Sequence, residues 1–117
     1  MVALVVCVGE GKGSWAVVSQ LVKSNQFDKV YFVMQQFFAE KFSVPANGEK
    51  IVIDLNKPLA EIVEFIRSSL DGKLFGDVAL NLSSGNGTEH MAVLSALIKV
   101  GCGIRFVSAS QTGVEEL

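Results

Sequence analysis

The sequence of 117 residues has few of the residues that mark disulfide-rich, metal-binding or nucleic-acid-binding proteins. It contains two cysteines and one histidine, with no paired spacing typical of metal ligands, so no metal site is expected. Reduced thiols are expected for Cys7 and Cys102, with a disulfide between them as the alternative. Reduced thiols indicate a cytoplasmic location.

The chain also lacks long apolar runs and concentrated basic charge. Each apolar run is far shorter than the roughly 20 residues of a membrane span, so no membrane partner is expected. The apolar start, MVALVVCV, has no basic segment before it and leads into GEGKGS, which favours a strand over a signal peptide. With a net charge of −2 and no Lys/Arg cluster, duplex nucleic acid is not expected as a partner, whereas a small anionic ligand is compatible.

Half of the residues are apolar, which suits a single globular domain over residues 1–117. Segments rich in β-branched and aromatic residues predict five strands, and the segments between them predict four helices. The predicted strands are 2–9, 29–34, 49–55, 77–82 and 103–109, and the predicted helices are 14–25, 35–43, 57–70 and 88–101. The first strand is almost continuously apolar, which is typical of the centre of a parallel sheet.

Residues at the helix ends suggest where the last two helices begin and end. Asn56 is the predicted N-cap of the third helix, with Pro58 in its first turn and Asp71-Gly72 at its end. Thr88 is the predicted cap of the fourth helix, which stops at Gly101. The fourth helix is apolar on most sides, which predicts cover by the sheet or by another subunit.

Alternating strands and helices predict an α/β fold: a Rossmann-like three-layer sandwich with a mainly parallel sheet in the order 3-2-1-4-5. In this order, strands 1 and 4 are neighbours and the winding direction reverses between them. Open α/β sheets bind ligands at such a switch point. The loops that follow strands 1 and 4 are therefore the candidate site.

The first of these loops is GEGKGS, which precedes a predicted helix. Its glycines allow close backbone approach, the helix N-terminus supplies N–H donors, and Lys12 adds positive charge, a combination suited to phosphate. The spacing matches neither a dinucleotide fingerprint nor a P-loop, and a tight glycine turn is the alternative. The candidate ligand-binding residues are Gly9, Glu10, Gly11, Lys12, Gly13 and Ser14.

The second loop joins the fourth strand to the fourth helix. It presents short hydroxyl and amide groups, and positive φ angles at Gly85 and Gly87 are expected to turn backbone N–H groups towards a ligand. An ordinary turn followed by a helix cap is the alternative. The candidate ligand-binding residues are Ser83, Ser84, Gly85, Asn86, Gly87 and Thr88.

Three ionisable side chains near these loops are weaker candidates. His90 has the chemistry of a general base or a phosphate ligand, although a packed or solvent-facing histidine is the simpler prediction. Glu10 and Glu89 are candidates for an acid/base pair across the cleft, with solvated carboxylates in the first turn as the alternative.

The element order and the stretch SSGNGTEHM (83–91) resemble the CARF domain, the CRISPR-associated Rossmann fold, in which a T-G-G-T-K-x-M-like loop follows strand 4. The resemblance implies a homodimer that binds a cyclic oligoadenylate messenger at paired clefts in antiviral defence, without a cofactor. The chain departs from the pattern in having Glu89 where lysine is common and one additional residue, Asn86. It ends soon after strand 5, with little room for a sixth strand, as a stand-alone, degenerate or excised domain would.

Two other functions are compatible with the same residues. A metal-independent ring nuclease would degrade the messenger, and its candidate catalytic residues are Lys12, Ser14, Ser84 and His90. A Rossmann-like module that binds only proteins is the other, favoured by the negative charge of Glu89 in the loop.

Overall fold

A computed structural model describes residues 2–9 and 12–117, with only the backbone for residues 12–14. These residues form six strands and four helices. In chain order they are β1 (Val2–Val8), α1 (Lys12–Lys23), β2 (Phe27–Gln35), α2 (Gln36–Ala39), β3 (Gly48–Ile53), α3 (Leu59–Leu70), β4 (Asp77–Asn81), α4 (Gly87–Val100), β5 (Gly103–Ser110) and β6 (Gly113–Glu116).

The described strands form one sheet in the order β3-β2-β1-β4-β5-β6. Each pair among β1 to β5 is parallel, so the predicted α/β class and the order of these five strands are confirmed. The sixth strand was not predicted, and the expectation of little room for it is wrong. A hairpin needs only a two-residue turn, and Gly113, with φ +126°, lets β6 return antiparallel to β5.

Two apolar cores lie on opposite faces of the sheet. On one face, Val5 and Cys7 of β1 share a core with residues of α3 and α4. On the other, Leu4, Val6 and Val8 share a core with residues of α1 and α2. Burial of β1 on both faces explains its continuous apolar sequence, and the prediction that it lies inside the sheet is confirmed.

The start of α3 differs from the prediction. Its N-cap is Pro58, without a side-chain hydrogen bond, and not Asn56. The N–H of Asn56 instead bonds the carboxylate of Asp54 at 2.9 Å, which holds Asn56 in the preceding turn. The predicted end is correct, because the helix stops at Leu70 and Gly72 has φ +76°.

The second helix is much shorter than predicted. It covers Gln36–Ala39, because β2 extends through Gln35. Aromatic packing positions the segment after it: the rings of Phe42 and Trp15 meet edge to face with centroids 5.6 Å apart. The ammonium group of Lys50 donates to the carbonyl of Ala39 at 2.6 Å and covers the end of the helix.

Candidate functional site

The ends of β1 and β4 bring the two candidate loops into contact. Val6 lies opposite Asn81 in a parallel register, so both strands end at the same edge of the sheet. The N–H of Gly9 donates to Oγ of Ser84 at 3.0 Å, and both residues are buried. The predicted meeting of the end of strand 1 with the loop after strand 4 is therefore confirmed.

The remainder of the first loop is only partly covered by the structure. Glu10 and Gly11 lie outside the described residues, so the predicted ligand contacts and the Glu10–Glu89 pair stay predictions. Lys12, Gly13 and Ser14 form the first turn of α1, two residues earlier than predicted, and only their backbone is described. The indole N–H of Trp15 donates to the carbonyl of Gly9 at 2.7 Å and fixes the end of β1 against this helix.

Asn81 positions the second loop, a role that the sequence prediction missed. Its side chain is buried: Nδ2 donates to the carbonyl of Val107 at 2.8 Å, and Oδ1 accepts from the N–H of Ser83 at 3.1 Å. One amide thus joins β5 to the start of the loop. The sequence did contain a signal for this role, which is the single amide residue at the end of the otherwise apolar strand DVALN. A polar side chain buried at that point needs hydrogen-bond partners.

Ser84 and His90, two of the candidate catalytic residues, hold the loop in place. Only 1% of Ser84 is exposed, and its Oγ accepts the bond from Gly9. Nε2 of His90 lies 2.7 Å from the carbonyl oxygen of Ser84. Because a carbonyl only accepts, Nε2 carries the proton and donates it. His90 is therefore a packed residue that fixes the loop, as the simpler prediction had it.

Asn86, and not Thr88, caps α4. Oδ1 of Asn86 accepts from the N–H of Glu89 at 2.9 Å, and Oε1 of Glu89 accepts from the N–H of Asn86 at 2.8 Å, a reciprocal capping box. The helix therefore begins one residue before Thr88, which stands exposed in the first turn.

The glycines of this loop have different conformations. Gly85 has φ +95°, as predicted, which places it in the region that glycine favours. The prediction of a positive φ for Gly87 is wrong, because Gly87 is the first residue of α4 and has a negative φ there. One glycine, and not two, turns the backbone at this point.

Glu89 lies beneath the loop with 1% of its surface exposed, so the alternative of a solvated carboxylate is wrong. With Gln35, Gly85 and Asn86 it lines a cavity of about 150 Å³. Its negative charge adds to the larger effect of burial in raising the pKa of the Cys7 thiol well above the ordinary range. The carboxylate is thus an internal acceptor that stabilises the start of α4.

The surface above this frame consists of small exposed polar groups. Ser83, Asn86, Gly87 and Thr88 are exposed at the C-terminal edge of the sheet, beside the N-terminus of α4. Short hydroxyl groups and helix N–H groups are donors suited to a phosphate or a ribose hydroxyl. Within residues 2–9 and 12–117, no group of three or more His, Cys, Asp or Glu side chains is arranged to hold a metal ion.

Among the residues that the structure describes, no helix is both long and apolar enough to cross a membrane. In comparisons with known proteins, no family model matches the chain, and none of the curated proteins matches it. The function is therefore inferred from the geometry of the two loops.

Proposed function

We propose that this chain is a Rossmann-like sensor domain similar to the CARF domain, and that it binds a cyclic oligoadenylate at the loops after β1 and β4. The observation that carries the proposal is the contact of Gly9 with the Ser84 side chain and the Gly85 backbone at the switch point of the sheet. Two loops with small polar residues meet there, beside the N-terminus of a long helix. The proposed setting is CRISPR-associated antiviral defence in the cytoplasm.

The groups needed to bind phosphate and those that build the loop are separate. The side chain of Ser84 bonds to Gly9 at the end of β1, and Asn86 and Glu89 bond to each other. Ser83 and Thr88 have exposed hydroxyl groups, and the first backbone N–H groups of α4 favour anions. A messenger with several phosphates would use these exposed groups without displacing the bonds beneath them.

The charge of Glu89 is compatible with this proposal. Lysine is common at this position in the family that the sequence resembles, and an exposed carboxylate there would repel a phosphate. The side chain lies beneath Gly85 and accepts a bond from the Asn86 N–H, away from the exposed surface. The ligand would therefore meet the outer side of the loop and not the carboxylate itself.

The proposed assembly is a homodimer. Met91 and Ile98 lie two turns apart on α4, with 58% and 70% of their surfaces exposed. Their position on the helix that follows the candidate loop suits an interface that joins two clefts. Sedimentation measurements should show a dimer that Ile98→Glu dissociates; a monomeric natural protein would exclude this assembly.

Calorimetric titration with cyclic tetra-adenylate and cyclic hexa-adenylate tests the ligand. Thr88→Glu adds a negative charge beside the proposed phosphate site, and a carboxylate at a helix N-terminus favours the fold. This variant should remain folded and bind at least about tenfold more weakly. The matched control is Gln26→Glu, which adds the same charge to an exposed position at the opposite edge of the sheet.

Three outcomes would count against the proposal. Absence of heat with folded protein at high concentration would exclude both messengers. Equal weakening by the two variants would mean that charge acts from a distance and not at the loop. Cleavage of the messenger during long incubation would favour the ring nuclease, whereas we expect it to be recovered intact because Ser84 and His90 already hold the loop.

A further inference from the structure

We propose a second binding site at the free edge of β3, where an extended peptide with alternating apolar and basic residues would add a strand to the sheet. Within the described residues, β3 has a neighbour on one side only, which is β2. An exposed edge presents unused backbone donors and acceptors to a peptide of this kind. This site is separate from the loops after β1 and β4.

The register of the sheet shows which backbone groups are available. Val30 of β2 lies opposite Gly48, and its N–H donates to the carbonyl of Asn47 at 3.0 Å. In a parallel pair, alternate residues turn both backbone groups towards the neighbouring strand. The pattern therefore turns the N–H and C=O groups of Lys50 and Val52 away from β2 and out of the sheet.

The two ends of β3 differ in how they are protected. The N–H of Gly48 donates to the carbonyl of Pro45 at 2.9 Å, so the preceding loop closes the first part of the edge. An edge lysine usually discourages a new strand, but the ammonium group of Lys50 is turned onto the carbonyl of Ala39. The edge is thus left open at Lys50 and Val52, whereas the carbonyl of Asp54 already accepts from the N–H of Lys57 at 3.1 Å.

Cavities on both sides of this open segment would receive the side chains of an added strand. One, of about 400 Å³, lies between β3 and α3 and is lined in part by Ile62 and the half-exposed ring of Phe65. The other lies at the start of α2 beside Phe37. Val52, Ile53 and Asp54 line both cavities. Successive side chains of an added strand point to opposite faces of the sheet, so they would enter the two cavities alternately.

Charge around the α3 cavity favours basic residues in the peptide. Its rim carries Asp54, Glu61 and Glu64 against a single lysine, Lys57. Glu64 is paired with Arg67, whereas Asp54 and Glu61 form no ion pair with any described residue. The remaining charge at this end of the edge is therefore negative. An added strand that places apolar side chains in the α3 cavity points its alternate side chains to the other face, where Asp54 also lines the second cavity, so Lys or Arg suits those positions.

A fluorescent peptide of about eight residues, alternating valine and lysine with blocked ends, is the probe. Fluorescence anisotropy should detect saturable binding to the full chain. In one further version the backbone nitrogen of every valine is methylated, and in the other that of every lysine. Because the N–H groups of alternate residues point to the same side of a strand, each version removes the N–H donors from one side of the peptide. Only one side can face β3, so one version should bind about tenfold or more weakly while the other keeps its affinity. Equal affinities of the two versions, or no binding of the parent peptide, would overturn the proposal.

Variants of the protein separate this edge from general attraction of a basic peptide to an acidic protein. Phe65→Lys places a positive charge in the α3 cavity and should reduce affinity about tenfold or more. The control is Phe75→Lys, with the same charge change at a more exposed phenylalanine that lines neither cavity. Unchanged affinity for Phe65→Lys, or an equal loss in both variants, would contradict the proposed site.

Discussion

Gly9 and Gly85 are in backbone contact across the C-terminal edge of the sheet. A Cβ atom on Gly9 would lie 2.6 Å from Cα of Gly85, closer than real Cβ contacts allow, and 3.1 Å from N of Gly85, which is also tight. The contact explains why glycine occupies the end of β1, since any side chain would separate the two loops.

Gly9→Ala should destabilise the protein by about 1–3 kcal/mol, because the nearest atoms to the added methyl group belong to the Gly85 backbone, which cannot turn aside as the end of a flexible side chain can. Chemical denaturation measures the change. Gly87→Ala is the control, because Gly87 is the first residue of α4 and nothing lies within 4 Å of its Cβ position. The stability of this variant should equal that of the natural protein or be slightly higher. Similar losses in both variants would show that the close contact is not the cause.

Ser84→Ala should destabilise the protein by about 1–3 kcal/mol, since it leaves the buried N–H of Gly9 without its acceptor. Ser83→Ala removes an exposed hydroxyl next to it and should have little effect. Thermal unfolding of both variants checks the difference. If Ser84→Ala unfolds like the natural protein, the bond between the two loops contributes nothing to stability.

Asn86→Ala should cost about 1 kcal/mol, because it removes the side chain that caps α4. Thr88→Ala tests the alternative cap suggested by the sequence and should be nearly neutral. Urea denaturation monitored by circular dichroism ranks the two. A larger loss for Thr88→Ala would contradict the observed capping box.

The buried thiol of Cys7 should make stability depend on pH in mildly alkaline solution. Burial, and then the charge of Glu89, raise its pKa in the folded state above that of an unfolded cysteine, about 8.5. Above that pH the unfolded chain loses a proton that the folded chain keeps, so stability is complete below about pH 8.5 and falls as the pH rises. The slope should approach about 1.4 kcal/mol per pH unit.

Denaturation from about pH 8 to about pH 9.5 measures this slope, below the range in which tyrosines ionise. Cys7→Ala should flatten it. Cys102→Ala should keep most of it, because Cys102 is less buried than Cys7. A slope that persists in Cys7→Ala would assign the effect to another group.

The order of β1 to β5 was predictable from sequence because alternation, strand length and apolar content restrict the possible topologies. Val2–Val8 is a clear example, since only a strand buried on both faces tolerates so continuous an apolar run. The short β6 was missed because four residues, two of them glutamates, carry no apolar alternation. Their strand depends on pairing with β5, which local sequence does not encode.

The site was predictable in position but not in the roles of its residues. Ser83 and Ser84 are adjacent and chemically identical, and only the three-dimensional path of the chain buries one and exposes the other. The N-cap of α4, in contrast, could have been identified from the sequence. Asn86 precedes Glu89 by three residues, the spacing of a capping box, and that spacing distinguishes Asn86 from Thr88.

The bonds around Gly9 also connect the two faces of the sheet. The indole N–H of Trp15 on α1 donates to the carbonyl of Gly9, and the N–H of Gly9 donates to Oγ of Ser84. The carbonyl of Ser84 in turn accepts from Nε2 of His90 on α4. Helices on opposite sides of the sheet are thereby tied over its edge. A molecule that shifts the loop after β4 would therefore disturb the hydrogen bonds to both α1 and α4.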